Sequence, residues 1–180
     1  APIGIVGPVE AGDAKLYNDG FIEGAEAGGA TDVTVNYTGS FSDVALASEA
    51  AEAFVANGVG ALTGSSQAMV GAIGVAAENG VPFFGTQSNQ TQLGPDVVVA
   101  SHVYHFEVIL ADMLDRIAAG EFGGDAYHLN YENGGFVLEF NEDYPLDEEV
   151  RALGEETVEA IIAGDIVPEA ITGAPADSTA

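Results

Sequence analysis

The chain contains no cysteine. That excludes disulfide bridges, structural thiolate–zinc centres and a cysteine nucleophile. Positive charge is nearly absent as well: Lys15, Arg116 and Arg151 face 29 Asp and Glu, a formal net charge of −26. Nucleic acid and anionic membranes are poor partners for such a surface, because binding either needs Lys and Arg to displace counterions. No apolar run in the sequence approaches the ~20 residues that cross a bilayer. The 180 residues open on Ala1-Pro2-Ile3, almost directly into a buried strand, so they are expected to begin inside a longer protein.

What the chain has is apolar residue, 47% of it and much of that Ala and Val, which suits tight packing of helices on a sheet. The acids read as a solvated surface. Their number points to a source adapted to molar salt, where the Debye length shrinks to ~3 Å and self-repulsion is screened. Dilute buffer would leave the same charge opposing compaction.

Five short apolar strands punctuate the first hundred residues: Ile3-Gly4-Ile5-Val6, Val33-Thr34-Val35-Asn36-Tyr37, Val59-Gly60-Ala61-Leu62-Thr63, Val81-Pro82-Phe83-Phe84 and Asp96-Val97-Val98-Val99-Ala100. Segments of roughly 12–18 residues with helical composition separate them, the alternation of a parallel sheet in an α/β domain. Helices are expected over 13–27, 43–56, from Ser65-Ser66 to Asn79, and over 104–119. Asp43 is a good N-cap, and Gly58 and Gly80 are good stops. Gly20, Gly24 and Gly28 recur every four residues, which predicts close approach of the first helix to the sheet. Past Gly120 the pattern changes. Strands at 127–131 and 136–140 flank Glu132-Asn133-Gly134-Gly135, a hairpin signal, and a last helix runs over 147–163 to Gly164. The chain thus divides into a βα-repeat lobe (1–103), a helix–hairpin–helix segment (104–168) and a frayed tail (169–180).

In an open parallel sheet, ligands bind outside the carboxyl ends of the strands. The loops expected there are Gly7-Pro8-Val9, Gly39-Ser40-Phe41-Ser42-Asp43, Gly64-Ser65-Ser66, Thr86-Gln87-Ser88-Asn89-Gln90 and Ser101-His102-Val103-Tyr104. No phosphate-binding Gly-Lys-Ser/Thr loop is among them, and the glycines from Gly58 to Gly64 bracket a strand instead of following it. Ser65 and Ser66, at an expected helix N-terminus, suit either capping or the holding of an anion or hydroxyl. His102, His105 and His128 lack the companions of a metal site, and Glu142-Asp143 with Asp147-Glu148-Glu149 lacks the order of a calcium loop. Catalysis has no support. Phe41 stands out, a large ring in a loop where an apolar side chain either stacks on a flat ligand or packs beneath the second helix.

At these residues the chain resembles the basic membrane lipoprotein family, the extracytoplasmic substrate-binding components of ABC transporters. The likeness is carried by Ile3-Gly4-Ile5-Val6-Gly7, Gly20-Phe21-Ile22-Glu23-Gly24-Ala25, Tyr37-Thr38-Gly39-Ser40-Phe41-Ser42-Asp43 and Gly164-Asp165-Ile166-Val167-Pro168. It spans nearly the whole chain, but only the second half of a family member.

The resemblance implies a Rossmann-like lobe of a type I periplasmic-binding fold, closing on its ligand by domain motion without chemistry. Several members bind purine nucleosides, and Phe41 would stack on the base. Where the family carries acids after the fourth strand this chain has Gln87 and Asn89, and where many members have a Lys it has Tyr104. The ligand-binding set is accordingly Gly39, Phe41, Asp43, Gly64, Ser65, Gln87, Asn89 and Tyr104, with no catalytic residue, metal or cofactor. Implied partners are a small-molecule solute and a transporter permease, with self-association through 104–140 if a covering lobe is missing. The implied location is extracellular, anchored through a lipoprotein N-terminus lying outside this chain. Two alternatives stay open: a flavodoxin-like cofactor domain and the ligand-sensing lobe of a regulator.

Overall fold

The computed structural model describes residues 1–124 and 126–169. Six strands form one sheet: β1 (Ile3–Gly7), β2 (Val33–Tyr37), β3 (Ala61–Gly64), β4 (Phe83–Gln87), β5 (Val98–Tyr104) and β6 (Phe136–Phe140). Their order is β2-β1-β3-β4-β5-β6, with β1 to β5 mutually parallel and β6 antiparallel to β5. Among the described residues the helices are α1 (Gly12–Ala27), α2 (Val44–Ala56), α3 (Met69–Asn79), α4 (Phe106–Ala118) and α5 (Glu148–Ala163). A single 3-10 turn, Thr91–Leu93, joins β4 to β5. The chain leaves β1 toward β2 on one side and returns to β3 on the other. That reversal makes the β1/β3 carboxyl ends the topological switch point, where α/β sheets open a crevice.

The core lies on the face covered by α2 and α3. Ala47, Ala50, Ala51 and Phe54 of α2 meet Met69, Ala72, Ile73 and Ala76 of α3 over Val6, Leu62, Phe83 and Val98. Small residues let these helices approach closely. A Cβ on Gly71 would stand 2.5 Å from the Val44 carbonyl oxygen and 2.6 Å from Ser48 Oγ, so only glycine fits there. In β1, Gly4 likewise leaves room for the Phe54 ring, 2.6 Å from where its Cβ would be.

The opposite face is covered by α1 and α5 and is richer in rings and polar groups. The Phe21 ring of α1 lies 6.2 Å from that of Tyr17 and 6.0 Å from that of Phe84 of β4, centroid to centroid. Arg151 of α5 sits over the Phe140 ring at 4.7 Å. Asn141 pins the β5/β6 edge: its amide donates to the Pro95 and Val98 carbonyls, both at 2.8 Å, and its backbone N–H to Val99 at 3.0 Å.

Several expectations are corrected. The Gly20–Gly24–Gly28 stripe does not approach the sheet: a Cβ on Gly20 or Gly24 would touch nothing within 4 Å. The sheet-facing stripe is Ala14, Tyr17, Asn18 and Phe21, at helical spacing on another side of α1. The segment 127–131 is not a strand. β6 takes its hydrogen bonds from β5, and the Phe136 N–H closes a tight loop on the Asn130 carbonyl at 3.0 Å. The fifth expected loop is strand, because Ser101, His102 and Val103 pair with both β4 and β6, and Tyr104 pairs with Phe136 of β6. α3 begins at Met69 with Ala68 as its N-cap, so Ser65 and Ser66 precede the helix and do not start it. Residues 170–180 of the expected tail lie outside the described residues.

Candidate ligand-binding site

The loop after β2 is tied down along its backbone. Thr38 and Gly39 donate their N–H groups to the Gly7 and Pro8 carbonyls at 2.9 and 2.8 Å. Gly39 adopts φ +76°, a left-handed conformation that glycine takes without strain. Ser40 Oγ accepts from Ser42 and Asp43 N–H at 3.3 and 3.1 Å, and the Phe41 carbonyl accepts from Ala68 N–H at 3.1 Å. The Phe41 side chain itself is 47% exposed. It is a ring held out at the carboxyl end of the sheet, outside the core.

Asp43 is engaged locally: Oδ1 accepts from Ala45 and Leu46 N–H at 3.0 and 3.2 Å, capping α2. Gly64 is packed, since a Cβ there would meet Met69 Sδ at 2.3 Å and the Val6 carbonyl at 2.4 Å. Ser65 is buried with its hydroxyl unpartnered.

Across β4 to β6 a polar line continues. Gln67 Nε2 donates to Gln87 Oε1 at 3.4 Å. Gln87 holds φ +71°, the one left-handed non-glycine among the described residues, a strain of the kind that collects at functional sites. Asn89 is committed on both sides: Oδ1 accepts from Thr91 N–H at 3.0 Å, and Nδ2 donates to Glu139 Oε2 at 2.7 Å. His105 Nε2 lies 3.8 Å from the other Glu139 oxygen, and its Nδ1 contacts Glu107. That contact holds the Glu107 carboxyl below its ordinary range.

Tyr104 joins a ring cluster, 5.3 Å from Phe136 and 6.1 Å from Phe106. His102 stacks on Phe136 at 5.0 Å and 16°, with Nε2 at 2.8 Å from the Tyr131 hydroxyl. Burial pushes His102 down to about 4 and Tyr131 up to about 12, so both are neutral at pH 7. The site is an open face. An apolar depression of about 240 Å³ lies elsewhere, among Met113, Arg116, Ile117, Glu121, Gly123 and Tyr127.

Residues 1–170 match the family Bmp, described as ABC transporter substrate-binding protein PnrA-like. The chain belongs to this family. It is the family expected from the sequence.

Solved structures similar to this Bmp chain include a solute-binding protein of an ABC transporter system from Aeropyrum pernix K1, at TM-score 0.76 and 21% identity, covering 98% of this chain and 58% of that one. Another, from Conexibacter woesei DSM 14684, has TM-score 0.75 and 22% identity over 92% of this chain and 56% of that one. A transcriptional activator of the comK gene from Bacillus halodurans superimposes at TM-score 0.81 and 19% identity, covering 93% and 58%. At these identities the likeness shows a shared fold, the type I periplasmic-binding α/β architecture. The chain spans under three fifths of the length of each of these structures. No curated protein matches the sequence.

Within the Bmp lobe, the structure gathers Phe41, Gln87, Asn89 and Tyr104 at one end of the sheet, but gives Asp43 to a helix cap and packs Gly64 against Met69. Tyr17, Asn18, Gln67 and Glu139 were missed from the sequence, and Thr86 was read only as part of a loop. Asn18 carried a usable signal, a polar residue at the i+4 position from Ala14 on an otherwise inward stripe. No group of three potential metal ligands occurs among the described residues, and no helix there is long and apolar enough to cross a membrane.

Proposed function

We propose that this chain is part of an extracytoplasmic solute-binding component of an ABC importer, and that it captures a small, flat, polar solute of the purine nucleoside class. The observation that carries this is Phe41, a half-exposed ring on a backbone tied to both neighbouring loops at the carboxyl end of the sheet. A ring so placed gives a planar base a stacking surface worth about 0.5–1.5 kcal/mol beyond its buried area. Gln87, with Gln67 behind it, supplies amide donors and acceptors for a neutral ligand. The capture needs no chemistry, only closure of a second lobe over this face. We place residues 104–168 as the elements such a lobe would cover, and a permease as the partner that receives the solute. An N-terminal lipoprotein anchor, outside this chain, would hold the protein at the membrane.

Calorimetric titration with adenosine, guanosine and inosine in molar NaCl tests the ligand class. Saturable binding of at least one is expected, and weak, since one lobe cannot enclose most of a ligand's surface. No binding of any at millimolar concentration would defeat it.

A further inference from the structure

The described residues hold three buried side chains whose polar atoms find no partner: Asn18 at both Oδ1 and Nδ2, Ser65 at Oγ and Thr86 at Oγ1. Asn18 and Thr86 are fully buried, and Ser65 is 5% exposed. Native proteins pair the great majority of such groups, so three together ask for a partner.

They share one level of the sheet. Asn18 Nδ2 lies 2.9 Å from where a Cβ on Gly7 would stand, at the last residue of β1. Ser65 follows Gly64, the register partner of Val6, and therefore sits one strand over from Gly7. Thr86 is the register partner of His102, two steps beyond the Thr63–Phe84 level of β3 and β4. Adjacent strands lie about 4.8 Å apart, so the three groups span on the order of 10 Å. Gly7 and Ser65 flank the β1/β3 crossing point, where a doubly wound sheet opens its crevice.

Nothing charged belongs to this row. Below it, Thr63 Oγ1 donates to the Phe84 carbonyl at 2.8 Å, so its single proton is committed and the Tyr17 hydroxyl donates to it at 2.6 Å. Beside it stands the His102 ring, stacked on Phe136. Asn18 offers two donors and an acceptor, and each hydroxyl offers one donor and two acceptors. Such a set satisfies a neutral O–H group and has no counter-charge for an ion.

We propose that Asn18, Ser65 and Thr86 line a subsite for neutral hydroxyl groups at the switch point, either ordered waters or the hydroxyls of a bound solute. Its water reading stands whether or not the solute is a nucleoside, and its solute reading rests on the nucleoside class proposed above. Water is the simpler occupant, since an internal water commonly makes about three hydrogen bonds to groups otherwise unpaired.

The test is magnetisation transfer from water, and separately from the ribose protons of inosine, to the side-chain amide of Asn18 and the hydroxyl of Thr86. It uses the full chain in molar salt. A long-lived contact in the free protein assigns the site to water, and a contact only with inosine assigns it to a solute hydroxyl. Either contact should be lost at the partner residue in Asn18→Leu or in Thr86→Val, the latter isosteric enough to keep the fold. No contact under either condition, or one that survives both variants, overturns the proposal.

Discussion

Phe41 and Ala68 are joined across two loops by a backbone hydrogen bond of 3.1 Å from the Ala68 N–H to the Phe41 carbonyl. The bond locks the main chain beneath a side chain that remains 47% exposed. Because about half the ring already meets solvent, Phe41→Ala is expected to cost the fold at most about 1 kcal/mol. Binding of an aromatic solute should weaken by roughly 1 kcal/mol or more. Paired calorimetry of unfolding and of nucleoside binding measures both. A stability loss of ~3–5 kcal/mol would mean that the ring acts as core.

The net charge of −26 predicts a salt-dependent fold. Lowering NaCl from molar to ~10 mM lengthens the Debye length from ~3 to ~30 Å, so each carboxylate then feels many others. The melting temperature should climb steeply with NaCl. A flat profile would remove the case for a salt-adapted source.

His102 predicts a pH dependence whose sign follows from its burial. Its folded value of about 4 lies below the ordinary 6.5, so the unfolded chain binds the proton more readily. The stability this neutral ring contributes is complete above pH 6.5 and is lost as pH falls from 6.5 toward 4. Titrating carboxylates change the total over the same range, so the readout is a difference. The stability gap between the wild type and His102→Gln should move against the wild type on acidification. A gap constant from pH 7 to 4 would contradict the assignment.

Asn141 is 3% exposed and donates to two carbonyls of the β5 approach. Asn141→Ala would remove both bonds, the one to the buried Val98 carbonyl among them. The expected cost is about 2 kcal/mol or more in urea unfolding. A loss under about 0.5 kcal/mol would show that the edge is not held there.

The α4 face supplies the last prediction. Phe106, Leu110, Leu114 and Ile117 are each more than half exposed, at 53%, 53%, 66% and 52%. Contiguous apolar surface of this kind favours association. In high salt, light scattering on the eluting peak should find a dimer that Leu114→Glu disperses, unless solute binding is tight without it. A strict monomer with submicromolar nucleoside affinity would show that this face needs no cover.

Periodicity and composition alone determined the βα alternation, the parallel sheet, the α2 cap at Asp43 and the α5 stop at Gly164, because these depend on local spacing and on backbone conformations that few residues adopt. The same local signals misjudged where strands end. β4 and β5 run on through Thr86, Gln87, Ser101, His102 and Tyr104, since a ladder between two neighbours uses backbone groups and ignores side-chain polarity. They also misassigned the glycine face of α1 and paired β6 with the wrong segment, because which surface meets which is settled only when all the elements pack. The site divided in the same way. Phe41 was legible as an apolar ring out of place in its loop. Only the tertiary structure tied Asn89 to Glu139 fifty positions away and buried Asn18, Ser65 and Thr86 on one row of the sheet.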